Sequence, residues 1–211
     1  MKNHALTTIK ITNLFLTGTI FVMWVFILGC KTTGVFSGTA PLTVIIVDEN
    51  GQGINGFELK LNCAGETKRG ITNSSGICVF ENTQSGDIKV SGKKDGYLRL
   101  GNGSVNFTNK TDVFCFEIMS ADFVFVQTEQ LYECGNYDDA FLILDSLECG
   151  KKSELNAAVS FYKAYGYAHL NQIKQAEHEL KKVKNASKTF YEKYSVAIEK
   201  IFLLTKTEEF E

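Results

Sequence analysis

The chain has 211 residues, with 22 Lys and Arg against 24 Asp and Glu, and its formal net charge is −2. A hydrophobic content of 44% and a single proline exclude a largely disordered chain, and the lack of a basic excess argues against a nucleic-acid-binding protein. The length suffices for two small domains.

The first 29 residues have the layout of a secretory signal peptide, with Lys2, His4 and Lys10 ahead of an apolar stretch. The stretch ends in Ile-Leu-Gly-Cys, which resembles the lipobox of bacterial lipoproteins. This resemblance implies that Cys30 becomes the first residue of the exported chain and carries fatty chains such as palmitate, which hold a protein at a bilayer. The alternative is an uncleaved single-pass anchor over residues 11–28. Residues 30–40 then read as a flexible tether.

Five cysteines follow Cys30, an odd number that leaves at least one thiol unpaired within the chain even in an oxidising compartment. None of them forms a Cys-x-x-Cys pair or lies near a histidine. The spacing therefore predicts no zinc site.

Residues 41–119 carry the pattern of a small β-sandwich. The β-branched run from Leu42 to Val47 is followed by the turn dipeptide Asn-Gly and by a segment, 57–63, in which apolar and polar residues alternate. Further short strands are predicted at 67–72, 77–81, 88–91 and 113–118, separated by Ser-Gly and Asp-Gly turns. By alternation Cys63 and Cys78 both face the core, where they can form a disulfide or remain as small buried thiols.

The order of residues in this region resembles the carboxypeptidase regulatory-like domains, which are similar in shape to transthyretin and to Cna B-type domains. The matching positions are Asp48, Gly51, Gly56, Thr72, Gly76, Phe80, Gly86, Val90, Gly96 and Tyr97. Asn73 stands where the family has Asp, and Ile88 where it has Tyr. The first strand has no lysine, so the isopeptide crosslink of some Cna B-type domains is not expected. The resemblance implies an all-β sandwich and says little about function.

Residues 120–205 change to helical periodicity, and 206–211 read as a tail. The segment YECGNYDDAFLILDSL resembles the turn and second helix of a tetratricopeptide repeat, and a weaker copy follows at a constant offset of 36 residues. The aligned pairs are Gly135 with Asn171, Tyr137 with Ile173, Ala140 with Ala176, Leu144 with Leu180, and Leu147 with Val183. A final helix from Ser187 to about Leu204 would cover the end of the stack. A generic helical bundle is the alternative.

The resemblance also implies a binding surface, because the first helix of each tetratricopeptide repeat lines a concave face. The residues that this chain would present there are Phe125, Glu129, Tyr132, Glu133, Phe161, Tyr165 and His169. Aromatic residues in a groove are typical of recognition surfaces. The alternative is that individual residues of this set pack into the core and do not contact a ligand.

No catalytic arrangement of serine, histidine and carboxylate and no phosphate loop emerges, so no enzymatic activity, cofactor or metal site is predicted. The sequence instead predicts a lipid-anchored adaptor of the bacterial cell envelope, on a periplasmic or surface face, that binds a protein or peptide partner and no nucleic acid. The alternative function is a periplasmic solute-binding accessory of a transporter.

Overall fold

The computed structural model describes residues 36–151 and 153–206. The described residues belong to one compact unit in which β-strands come first and helices follow. The predicted signal peptide, Cys30 and most of the predicted tether lie outside the described residues. Within the described part, no helix has both the length and the apolar character required to span a bilayer.

Two sheets pack face to face in the β-region. In the first sheet the central strand β1 (Thr39–Val47) pairs antiparallel with β4 (Ile77–Gln84) and parallel with β8 (Val113–Glu117). The second sheet is antiparallel and has the order β3-β2-β5-β7. Its strands are β2 (Glu58–Cys63), β3 (Glu66–Ile71), β5 (Gly86–Lys93) and β7 (Leu100–Phe107). The predicted β-sandwich is thus observed, with most strand ends within three residues of their predicted positions.

Alternation along the strands explains why the two sheets associate. One face of β1 carries Leu42, Val44 and Ile46, all fully buried, while the intervening residues are only partly covered. The facing side of the second sheet contributes Leu59, Leu61, Ile88 and Val90 to the same cluster, and Phe57 and Phe107 fill its centre. Removal of this apolar surface from water stabilises the sandwich.

Two turns of the sandwich share one geometry. The Asp48 carboxylate accepts hydrogen bonds from the N–H groups of Asn50 and Gln52 at 2.9 and 2.8 Å. The Asn73 side-chain oxygen does the same for Ser75 and Ile77, both at 3.0 Å. Since only an acceptor oxygen is needed, asparagine replaces the aspartate of the resembling family without loss of the turn.

Strand β7 was not predicted, and the reason is its composition. Its sequence, LGNGSVNF, is rich in Gly and Asn, which are depleted in strands. Gly103 nevertheless fits the packing, because a Cβ atom at that position would lie 3.1 Å from the Phe116 ring, which would have to shift. Tertiary contact therefore overrides the local preference.

The helical region contains two antiparallel hairpins and a terminal pair. The first hairpin consists of α1 (Ala121–Glu133) and α2 (Tyr137–Asp145), and the second of α3 (Ser153–His169) and α4 (Ile173–Ala186). The terminal helices are α5 (Lys188–Lys193) and α6 (Ser195–Lys206). The single final helix predicted from the sequence is therefore wrong in detail, because the chain leaves helical geometry at Tyr194.

The two hairpins turn in the same way, 36 residues apart. Gly135 and Asn171 both have a positive φ, +76° and +57°. In the first turn the N–H groups of Gly135 and Asn136 donate to the carbonyls of Tyr132 and Leu131. The residues 36 positions later, Asn171 and Gln172, donate to Ala168 and Tyr167 in the same pattern, which is a Schellman motif. The aligned Ala140 and Ala176 are both fully buried.

A small third sheet links the strands to the helices. Strand β6 (Tyr97–Leu98) follows β5, and it pairs antiparallel with β9 (Leu147–Glu148), which follows α2. The side chain of Leu98 packs against a buried cluster that includes Val124 and Leu144 from the first hairpin. Neither two-residue strand was predicted, since a segment this short has no detectable periodicity.

Candidate functional site

A cleft of about 530 Å³ lies in the helical region, where α1, α3 and α6 meet. Six of the seven predicted groove residues line it: Glu129, Tyr132, Glu133, Phe161, Tyr165 and His169. They come from two helices that are distant in sequence, and the hairpin turns bring the two stripes to face each other. We call this site the aromatic cleft.

Phe125 is the exception among the seven. It lies one turn before Glu129 on α1, but its ring stacks on Tyr162 instead of lining the cleft, with the centroids 4.8 Å apart and the planes 7° from parallel. Offset stacking of this kind contributes about 0.5–1.5 kcal/mol beyond the burial of area. Phe125 therefore helps to position Tyr162, which lines the cleft.

Tyr132 forms the floor of the aromatic cleft. Only 8% of its surface is exposed, and its hydroxyl donates a hydrogen bond to the backbone carbonyl of Tyr162 at 2.9 Å. Its ring also contacts Tyr165, with centroids 5.8 Å apart. Burial raises the pKa of the Tyr132 hydroxyl above its ordinary value. Tyr132 thus supports the site more than it offers surface to a partner.

Tyr162 and Glu129 join the two helices at one side of the aromatic cleft. The Tyr162 hydroxyl donates to Oε1 of Glu129 at 2.6 Å. Burial and this hydrogen bond to a carboxylate together raise the pKa of Tyr162 above its ordinary value. A hydrogen bond to a charged group is stronger than one between neutral groups, so the pair fixes the separation of α1 and α3.

The rim of the aromatic cleft offers the accessible groups. Tyr165 is 38% exposed, and its ring lies against the His169 imidazole with centroids 4.4 Å apart. Glu133 on α1 and Lys200 on α6 are exposed and also line the cleft. An aromatic surface is thus bordered by charges of both signs, an arrangement that orients an amphipathic ligand.

Several lining residues were missed from the sequence. Tyr137 at the start of α2, Tyr162 on α3, and Ala197 and Lys200 on α6 all contribute to the aromatic cleft. The predicted stripe on α3 took every fourth residue from Phe161, and widening it by one position would have included Tyr162. The local sequence does not predict that α6 lines the cleft. It predicts which side of α6 is apolar, but not the direction from which the helix packs against α1 and α3.

Two of the cysteines of the β-region, Cys63 and Cys78, are buried thiols, whereas Cys115 on β8 is exposed. Cys63 and Cys78 are free in the structure, and each has its own contact. Cys63 Sγ donates to the Gln84 carbonyl at 3.2 Å, whereas Cys78 Sγ lies against Gly70. Burial raises the pKa of both thiols. Among the described residues, no group of His, Cys, Asp and Glu is arranged to hold a metal ion.

No protein-family model and no curated protein matches the chain. Solved structures resemble part of it. They include the TIE protein of Bacillus anthracis, at 17% identity and a TM-score of 0.35, where the match covers 39% of this chain and 17% of that one. The full-length major pilin SpaD of Corynebacterium diphtheriae matches at 18% identity and a TM-score of 0.35, with 39% and 30% covered.

The group B streptococcus pilus 2b backbone protein gives 15% identity and a TM-score of 0.35, with 40% of this chain and 42% of that one covered. The match thus spans less than half of each of these three proteins. At these identities the likeness concerns the fold alone, and it extends over about two fifths of this chain. The strand pairing of this chain itself shows a β-sandwich, which is followed by a helical region.

Proposed function

We propose that this protein is a lipid-anchored adaptor of the bacterial cell envelope that binds a peptide segment of a partner protein in the aromatic cleft. The observation that carries the proposal is the convergence of six groove residues, chosen from two separate helical stripes, on one cleft. Random helix packing would bury or disperse such a set. Its assembly with an aromatic wall and a charged rim is typical of a recognition surface.

We further propose that the helical region is a short tetratricopeptide-like repeat. Support comes from the two hairpins, whose turns share a left-handed residue and the same backbone hydrogen bonds at an offset of 36 residues. The paired helix positions are also buried alike, since Leu144 and Leu180 are almost fully covered. In such stacks the concave side binds peptides, and α1 and α3 would line it here.

Membrane attachment is supported by the sequence alone. The lipobox-like segment ends at Cys30, where a thioether-linked lipid would hold the folded region at a bilayer. An adaptor benefits from such a tether because it raises the effective concentration of the site near envelope partners.

The chemistry of the aromatic cleft fits a segment with one aromatic or aliphatic anchor and flanking charges. The anchor would pack on Phe161 and Tyr165, and the flanking groups would meet Glu133 and Lys200. A small solute is the second candidate ligand. Its support is the volume of the aromatic cleft, about 530 Å³, since ligand pockets usually measure about 300–1,000 Å³.

Peptides selected from a random display library against the full-length chain in nanodiscs test the proposal. Tyr165→Ala should weaken a selected peptide at least tenfold, because an aromatic hot spot contributes about 2 kcal/mol or more. Tyr165 is partly exposed, so the thermal transition should change little. Leu142→Ala removes an exposed apolar side chain from α2, outside the cleft, and is the matched control.

Peptide binding in the aromatic cleft would be contradicted if both variants weakened the selected peptide equally. It would also be contradicted if neither variant weakened it. A retained small molecule in native mass spectrometry, displaced by no selected peptide, would favour the solute-binding candidate instead. Palmitate labelling that marks the Cys30→Ala chain as strongly as the parent chain would remove the lipid anchor from the proposal.

A further inference from the structure

A second concave surface lies on the outer face of the four-stranded sheet, and one end of it is bordered by Glu148, which follows the first hairpin. It is a groove of about 1,250 Å³ whose floor is formed by β3, β2, β5 and the start of β7. Three basic side chains rise from three adjacent strands: Arg69, Lys60 and Lys93. We call this surface the basic groove.

The strand register places like charges together in the basic groove. Lys60 is the direct cross-strand partner of Arg69, and on its other side it faces Ser91. Like charges at directly opposite positions destabilise a sheet. None of the salt bridges found among residues 36–151 and 153–206 involves Lys60, Arg69 or Lys93.

Carboxylates balance only part of this charge. The lining includes two acidic residues, of which Glu148 already pairs with Arg99 at 2.7 Å. Glu58 is the other, and it stands opposite Lys93 and Ile71. The lining therefore carries more basic than acidic side chains in a chain whose net charge is −2. The excess lies at Lys60 and Arg69, because Glu58 faces Lys93 across the strands and Glu148 pairs with Arg99.

Apolar contact is available beside the charges. Ile71 is 65% exposed at the edge strand β3, and half-buried Leu100, which also packs against the sandwich core, borders the opposite side. No aromatic ring is among the lining residues. Carbohydrate polymers and single-stranded nucleic acids are usually stacked on such rings, so both fit this surface poorly.

We propose that the basic groove binds an extended acidic segment of a partner protein. Its carboxylates would meet Lys60 and Arg69, which relieves the repulsion between these two side chains, and its apolar residues would cover Ile71 and Leu100. Polymers of bare phosphate provide no apolar group for this part of the surface, and a planar membrane cannot follow a concave sheet. This site is separate from the aromatic cleft and does not depend on it.

Fluorescence anisotropy with the full-length chain in nanodiscs tests this proposal, with empty nanodiscs as the blank. The probe is a labelled twelve-residue peptide, three repeats of Glu-Leu-Glu-Ser. Two comparison peptides carry Ser in place of every Leu, or Lys in place of every Glu. We expect saturable binding of the first peptide, weaker binding of the all-polar acidic peptide and none of the basic peptide.

The double variant Lys60→Gln and Arg69→Gln should weaken the first peptide about tenfold, because two exposed charge contacts are lost. Both side chains are exposed, so the fold should persist. Lys174→Gln with Lys181→Gln removes two exposed charges from α4 and is the matched control. Binding by the parent chain should also weaken as salt is raised.

Three results would overturn the proposal. They are the absence of saturable binding by the first peptide, equal binding by the parent chain and the groove variant, and equal loss in the control variant. Equal affinity for the peptides with and without Leu, combined with displacement by inorganic polyphosphate, would also overturn it, because the groove would then recognise bare anionic charge. The Tyr165→Ala chain should bind the acidic peptide normally, so failure at one site is distinguishable from failure at the other.

Discussion

At the scale of single residues, Gly51 and Gly76 have the same backbone conformation in different surroundings. Their φ values are +74° and +75°, and each N–H donates to the carbonyl of the residue three positions earlier. Open space surrounds Gly51, whereas a Cβ atom on Gly76 would lie 2.2 Å from the Ile46 carbonyl oxygen. The two glycines look alike in the sequence, but only Gly76 is also constrained by a neighbouring backbone atom.

This difference predicts unequal costs for the same substitution. Gly51→Ala should lower the free energy of unfolding by about 1–2 kcal/mol, which is the cost of a left-handed conformation for an L-residue. Gly76→Ala should cost at least about 3 kcal/mol, since the backbone of β1 must also move away. Chemical denaturation of both variants measures the two values, and equal losses would show that the contact with Ile46 is unimportant.

At the scale of elements, helix α3 lies between the first hairpin and the terminal helices and is lined with small residues. Ala157, Ser160 and Ala164 are buried along it, and near its end Gly166 faces the first hairpin. A Cβ atom on Gly166 would lie 2.7 Å from the Tyr132 hydroxyl oxygen. Small residues let helices approach closely: Ala157 and Ala164 pack in the cluster shared with α4 and α6, whereas Gly166 allows the close approach of Tyr132 from α1.

Gly166→Ala should therefore destabilise the chain, although alanine has the higher helix propensity. Overpacking costs about 1–3 kcal/mol, and the propensity gain of about 1 kcal/mol offsets part of it. The new methyl group would meet the Tyr132 hydroxyl oxygen, Phe141 Cε1 at 2.8 Å and Tyr132 Cζ at 2.9 Å. Tyr132→Phe removes the nearest of these atoms, so the double variant should lose less stability than the sum of the single variants. A double-mutant cycle by denaturation measures this coupling, and strict additivity would contradict the contact.

At the scale of the whole molecule, a side chain of the sandwich holds the first helix. Glu49 lies in the turn after β1, and its carboxylate accepts hydrogen bonds from the N–H and hydroxyl of Ser120 at 2.9 and 2.6 Å. Ser120 is the N-cap of α1, and its hydroxyl oxygen accepts from the Phe123 N–H. Glu49 therefore couples the β-region to the helix that forms one wall of the aromatic cleft, and a carboxylate near a helix N-terminus is itself favourable.

The stability contributed by Glu49 should depend on pH. Burial alone would raise the pKa of this carboxyl group, but the hydrogen bonds from Ser120 outweigh burial and lower the pKa below its ordinary value of 4.5. A lowered pKa in the folded state means that the stabilisation is fully present above the ordinary pKa and is lost as pH falls through the folded-state pKa. Acid should thus loosen the connection between the two regions.

Glu49→Gln should lower the free energy of unfolding at neutral pH by about 1–2 kcal/mol, because charged hydrogen bonds become neutral ones. The difference from the parent chain should shrink as the pH is lowered below the ordinary pKa of 4.5. Thermal denaturation across this range measures it. Glu177→Gln, an exposed change on α4, is the control, and a gap for Glu49→Gln that is independent of pH would contradict the role of its charge.

The sequence by itself determined those features that repeat with a local period. The turn residues Asp48 and Asn73 and the groove stripes on α1 and α3 came from resemblances to known families. Alternation itself predicted the core faces of β1 and β2, and helical periodicity predicted the helical region. These features follow from short-range geometry, which neighbouring residues specify together.

Only the tertiary structure decided the rest. Strand β7, the pairing of β6 with β9, and the docking of α6 depend on contacts between residues far apart in the chain. The cross-strand pairing of Lys60 with Arg69 also depends on the register of β2 and β3, which the local sequence does not specify. The physical reason is that burial and pairing are settled between elements, and a favourable long-range contact outweighs the weak local preference of a glycine-rich strand or an isolated dipeptide.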